Sequence, residues 1–201
     1  PIKSKTTVTQ HETLDKTAQV TELEGQRVKV LGYNVMSEGA KMDGSQLVQV
    51  EGVNNTLLYA VQELHQTSTS SQTSSSMMGI TYSKSSSTDT TIKSEALGTQ
   101  LTSAEALQIG VGAVTDVQGA ILTAPNVNFV RSAGADTSQA GQLILGGSKN
   151  TTQTSHTEET TTAGVYQQMS GNGETKQTLN QTQINGQVNI ASGINTMVMI
   201  P

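Results

Sequence analysis

The chain of 201 residues contains no cysteine and no tryptophan, one phenylalanine and only three prolines. Without cysteine there is no thiol chemistry, no disulfide staple and no Cys-based zinc site. Aromatic residues make up 2% and apolar residues 33%, below the usual 45–50%. That is poor material for a thick globular core and suits a thin one lined by Val, Ile, Leu, Ala and Met. Charged residues are also scarce, at 13%, with a formal net charge of −5. No basic stripe is present to neutralise phosphates, which argues against nucleic acid as a partner. No apolar run approaches the ~18–20 residues of a membrane-spanning helix, and no signal peptide opens the chain. Its start at Pro1 and its strand-like ending Met197-Val198-Met199-Ile200 read as a piece of something longer.

What is present is repetition. Val28-Lys29-Val30-Leu31-Gly32-Tyr33-Asn34 returns twenty residues on as Val48-Gln49-Val50-Glu51-Gly52-Val53-Asn54. Leu101, Leu107 and Ile109 are answered at the same spacing by Ile121, Val127 and Phe129. Self-similarity at this period, with apolar residues alternating inside each copy, predicts stacked β-strand coils. Each coil buries its apolar face only against its neighbours, and stacked strands about 4.8 Å apart satisfy each other's backbone groups. Val28, Val30, Val35, Met42, Leu47 (or Val48) and Val50 should point inward, and Arg27, Lys29, Gln49 and Glu51 outward. Gly25, Gly32, Gly39, Gly44 and Gly52 read as turn punctuation. Thr102–Leu107, with the cap-like Ser103, is the best helix candidate, but it is short and inside a repeat; strand and turn are expected.

Coils are expected over about 20–60, 97–147 and 183–200, separated by two polar excursions at about 66–92 and 148–182. Sixteen of the twenty-five residues 66–90 are Ser or Thr. Such a tract is either a flexible linker or a two-stranded hairpin with Met77-Met78-Gly79 near its tip. The β-favouring Thr, Ile80, Tyr82 and Ile92 support the hairpin. The second excursion contains Gly171-Asn172-Gly173, read as its reverse turn. The Thr-rich segment 5–18 reads as one arm of a further ribbon. The fold expected is therefore all-β: a right-handed parallel β-helix with rungs of about 20 residues and projecting hairpins.

Candidate chemistry is sparse. His11, His65 and His156 are far apart in polar tracts and do not suggest converging metal ligands. His156 with Glu158 and Glu159 is the densest titratable group and reads as a solvated ribbon face. No carboxylate stack recurs from coil to coil, and no Gly-x-Ser-x-Gly nucleophile motif occurs. No catalytic residue, cofactor or metal is assigned. Met77, Met78, Ile80 and Tyr82 are the candidate contacts with a membrane or a partner.

The phrases Thr21-Glu22-Leu23-Glu24-Gly25-Gln26-Arg27-Val28-Lys29-Val30 and Gly186-Gln187-Val188-Asn189-Ile190-Ala191-Ser192-Gly193, with the Ser/Thr tracts between coils, resemble the haemagglutinin-repeat region of filamentous haemagglutinin-type proteins. Within that group they look most like the CdiA effectors of contact-dependent growth inhibition. The resemblance spans about residues 3–200 and rests on degenerate Leu/Val-x-Gly patterns. It implies a non-catalytic segment of a filament secreted, through an outer-membrane partner, to the surface of a Gram-negative bacterium. It also implies a toxin at the filament's far C-terminus. Repeats with Ser-rich insertions are similar to the toxin-proximal region associated with passage across the target cell's outer membrane. The implied partners are neighbouring repeats of the same polypeptide and the target-cell outer membrane or a surface protein. An adhesin stalk or binding face is the alternative.

Overall fold

The structure, a computed structural model, describes residues 2–199, so Ile200 of the expected last coil lies outside the described residues. Every regular element among them is a strand: β1 (Lys3–Lys16), β2 (Glu22–Glu38), β3 (Lys41–Met77), β4 (Ile80–Gly98), β5 (Gln100–Ser103), β6 (Ala106–Val111), β7 (Val114–Gln118), β8 (Ile121–Arg131), β9 (Gly141–Thr162), β10 (Tyr166–Gln181), β11 (Gln183–Ile190) and β12 (Ile194–Val198). The protein is all-β. Its pairing is mixed, because two compact units follow different rules.

The first unit comprises Ala18–Gln62, Ala96–Lys149 and the chain from Leu179 onward. Its stacked strands pair in parallel. β2 lies on the first part of β3, which carries β5, β6 and β7 on its other side. β5 and β6 lie on β8, β7 on β9, β8 on β11 and β9 on β12. The repeated phrase is the register itself: Val28 pairs with Val48, Val30 with Val50 and Gly32 with Gly52. Chained pairings produce columns five deep, Val28–Val48–Leu107–Val127–Val188 and Val30–Val50–Ile109–Phe129–Ile190. Leu107, Ile109, Val127 and Phe129 are fully buried, whereas Val188 and Ile190, in the last layer, are about half in water.

Three expectations need correction here. Leu101 pairs with Leu122, not Ile121, while Leu107 and Ile109 keep the predicted partners Val127 and Phe129. A one-residue slip turns every side chain over, and Leu122 rather than Ile121 is the buried residue. Glu51, expected outside, is buried. Its carboxylate accepts from Gln49 Nε2 at 2.9 Å and from the backbone N–H of Ala133, in the loop after β8. Most of the punctuating glycines mark β-bulges rather than turns. The β2–β3 register shifts between Gly25 and Arg27 and again between Gly32 and Asn34, bending the strands without ending them. Of these glycines only Gly39, at φ 67°, supplies a left-handed turn. The helix candidate is β5, a bend and β6, with Ser103 Oγ accepting from the N–H groups of Glu105 and Ala106 at 3.4 and 3.3 Å.

The second unit holds the chain up to Thr17 with Glu63–Glu95 and Asn150–Thr178. It is an antiparallel sheet in the order β1–β3–β4–β9–β10. Residues 66–92 form two strands joined at Met78-Gly79, whose φ angles of 54° and 84° suit a two-residue hairpin turn. β9 and β10 are joined through Ala163-Gly164, at φ 53° and 70°. The turn expected at Gly171-Asn172-Gly173 lies in the body of β10 instead. Neither glycine there has a positive φ, and both run close to the backbone carbonyls of His156 and Thr154. The excursions are not separate ribbons. β4 pairs with β9 from Ser83↔Thr162 to Ser94↔Thr151, and β1 pairs with β3 from Lys3↔Met77 to Lys16↔Leu64. No residue of the hydrophobic core belongs to this sheet. Its strands are held by backbone ladders and hydroxyl pairs such as Ser4–Ser76 at 2.7 Å and Thr7–Thr73 at 3.1 Å.

Candidate functional site: an apolar end on a hydroxyl-rich sheet

One end of the antiparallel sheet differs chemically from its body. Residues 66–76 of β3 are all Ser, Thr or Gln and residues 83–91 of β4 mostly Ser or Thr, yet the turn between them carries Met77, Met78, Ile80 and Tyr82, exposed at 43%, 76%, 74% and 47%. All four predicted contact residues therefore lie together at one turn. The structure adds residues from two other segments. The Met78 N–H donates to the Ile2 carbonyl at 3.1 Å, which fastens the start of β1 beside the turn. The Ala163 N–H donates to the Tyr82 carbonyl at 2.8 Å, which sets the β9–β10 turn alongside. Ile2, Val165 and Tyr166, carried there by these contacts, are mostly in water, and Met169 follows on β10.

Sequence reasoning missed Ile2, Val165 and Tyr166 as members of this cluster. The available signal was an apolar pair beside Ala163-Gly164 in a Thr tract. Gly171-Asn172-Gly173, the stronger reverse-turn pattern in the same tract, masks it.

Charge is also sorted along this sheet. Lys3 stands opposite Met77, Lys5 opposite Ser75 and Lys84 opposite Thr161, all exposed and all near the apolar end. The first acidic residue met on leaving that end is Glu12 on β1, Asp89 on β4, Glu159 on β9 and Glu174 on β10, and Glu63 is the last one before it on β3. The end is thus apolar, with lysines on its β1 and β4 strands and Glu159 approaching it on β9.

The histidines stay apart. His65 Nδ1 meets Asp15 Oδ1 at 2.9 Å, His156 Nδ1 meets Asp89 Oδ1 at 2.7 Å, and His11 meets the Thr69 hydroxyl at 3.0 Å. Each is a cross-strand pair on an exposed ladder. The hydrogen bond that His65 donates to the Asp15 carboxylate raises the His65 pKa above its ordinary value. Among the described residues no group of three or more His, Asp or Glu side chains could hold a metal. Glu158 and Glu159 do not join His156: Glu159 accepts from Gln167 Nε2 on β10.

In the parallel unit the notable polar group is the loop after β8. Arg131 donates to the carbonyls of Val111, Gly112, Asp136 and Gln139 at 2.9, 2.5, 2.7 and 3.4 Å, tying that loop to the strands. The Asp136 carboxylate accepts from the Ser138 N–H at 2.9 Å, which lowers its pKa. With its donors spent on backbone oxygens, Arg131 serves as a strut.

No protein-family model matches the chain, and no curated protein or solved structure is detectably similar to it.

Proposed function

We propose that this chain is a non-catalytic structural and delivery segment of a secreted bacterial surface filament, a right-handed parallel β-helix within a longer polypeptide. The observation that carries the reading is the pair of apolar columns, five layers deep, whose last members Val188 and Ile190 remain half in water. A stack of this kind buries its core only by adding layers, which suits a repeat that continues into neighbouring repeats. The neutral hydroxyl-rich surface fits an extended extracellular protein. The resemblance to the repeat region of CdiA-type effectors supplies the biological assignment: secretion through an outer-membrane partner, display at the Gram-negative cell surface, and help in carrying a distal toxin into target bacteria.

The test is an in-frame deletion of the segment in the full-length protein, followed by co-culture with susceptible bacteria. Surface display should persist and inhibition of the targets should be lost. Undiminished inhibition would remove the delivery role. Tight binding of the isolated segment to host glycans would favour an adhesin instead.

A further inference from the structure

We infer that the apolar end of the antiparallel sheet is a lipid-contacting surface, shaped to enter the headgroup region of a bilayer carrying anionic phosphate groups. The inference builds on the proposed function, since it names what the sheet touches. It rests on three observations independent of any resemblance.

The first is concentration. The sheet has no core of its own, and its body is mostly polar, yet three separate segments deliver apolar side chains to one end. Exposed apolar clusters of this kind mark interaction surfaces. Met, Ile and Val offer flexible aliphatic bulk, and Tyr82 and Tyr166 have the apolar body and polar tip suited to the boundary between water and acyl chain.

The second is backbone conformation. Met78 sits at φ 54° and Ala163 at φ 53°, positions where Asn, Asp or Gly is preferred and a larger L-residue is strained. Stability alone would place Asn or Gly at Met78. The side chain there is three-quarters exposed and makes no buried contact that would offset the strain. A large apolar residue in that position serves something outside the sheet.

The third is charge. Lys3, Lys5 and Lys84 stand behind the apolar residues on β1 and β4, where the nearest acidic residues, Glu12 and Asp89, lie farther down the strands; on β9, Glu159 lies two registers beyond Lys84. Apolar residues in front and lysines behind match the depth profile of an anionic bilayer, with acyl chains beneath a layer of phosphate. A protein pocket that took the methionines would have no need of lysines displaced toward the sheet body.

The test uses the whole chain and protein-free vesicles, either pure phosphatidylcholine or phosphatidylcholine with phosphatidylglycerol. The chain should sediment with the anionic vesicles, more weakly with the zwitterionic ones, and less as salt rises. The paired substitution Met78→Asp with Ile80→Asp should cut binding at least tenfold. Replacing Lys3, Lys5 and Lys84 with Gln should cost roughly fivefold per lysine at low salt. All these side chains are exposed, so circular dichroism should be unchanged and no variant should melt lower than wild type, while Met78→Asp, at a left-handed position, should melt slightly higher. A tryptophan placed by Tyr82→Trp should be quenched by brominated lipid, and one placed by Val8→Trp, on the sheet body, should not. Absence of binding to anionic vesicles, equal binding by the Asp variant, or an unquenched Trp at position 82 each overturns the inference. Binding to cell envelopes but not to protein-free vesicles would assign the end to a protein receptor and overturn it too. The two proposals separate cleanly. Vesicle binding with tip variants that still inhibit targets fully in co-culture removes the tip from delivery while the lipid contact stands.

Discussion

Replacing Leu107 with alanine tests whether the five-layer columns hold the parallel unit together. Leu107 is fully buried on β6, between Val48 of β3 and Val127 of β8. The substitution removes three carbons, about 2–3 kcal/mol of transfer free energy. A cavity term adds to it when the surroundings cannot collapse. Collapse is hindered here because the backbones on both sides are fixed by ladders. A loss of about 3–4 kcal/mol is expected, a large share of the 5–15 kcal/mol typical of a folded domain. The comparison is Leu14→Ala on β1, where Leu14 is 47% exposed on a sheet with no core. About half of that side chain never leaves water, so its loss should be under about 1 kcal/mol. Urea unfolding followed by circular dichroism measures both. The midpoint for Leu107→Ala should fall at nearly constant slope if the stack unfolds as one unit. Equal midpoint shifts for the two variants would refute the assignment of the core. A second transition appearing only in Leu107→Ala would instead show the layers uncoupling.

Other outcomes follow from single positions. Gly98→Ala should destabilise by about 3 kcal/mol or more in the same assay, because a Cβ there would lie 1.9 Å from the Gly119 carbonyl oxygen, a fixed backbone atom. Met78→Asn should raise stability by about 1 kcal/mol by relieving the left-handed turn, and a fall would contradict the hairpin geometry. The Tyr59 phenol is pushed up to about 12 by burial and by its 2.9 Å hydrogen bond to Asp116. It therefore favours the folded state fully below pH 10 and stops doing so as pH rises through about 12. Absorbance titration should show a late phenolate component that Tyr59→Phe abolishes. His65, raised above 6.5 mainly by its hydrogen bond to Asp15, favours folding below pH 6.5 and loses that contribution as pH rises through its folded pKa. The melting difference between wild type and His65→Gln should be largest in acid and fade toward neutral pH.

The sequence alone determined the strand content, the period and most of the core. A twenty-residue echo with apolar alternation places Val28 beside Val48 and Leu107 beside Val127, because stacked strands repeat the same inward positions. It also marked Met77, Met78, Ile80 and Tyr82, since apolar residues stand out in a Ser/Thr tract. Register within a column was less legible. Leu101 could be matched to Ile121 or Leu122 with similar local patterns, and burial on one face decided it. Glu51 looked like an outward residue until a loop some eighty positions later covered it.

Only the tertiary structure decided how the polar segments pair. Ser and Thr alternate with Ser and Thr, so these strands carry no apolar face from which to read a register or a neighbour. The pairing of β1 with β3 and of β4 with β9 is fixed by backbone hydrogen bonds between residues about fifty to eighty positions apart. That pairing brings Ile2, Val165 and Tyr166 to the same end as Met78. A periodic apolar pattern records its own partner in the chain, and a uniform hydroxyl pattern does not.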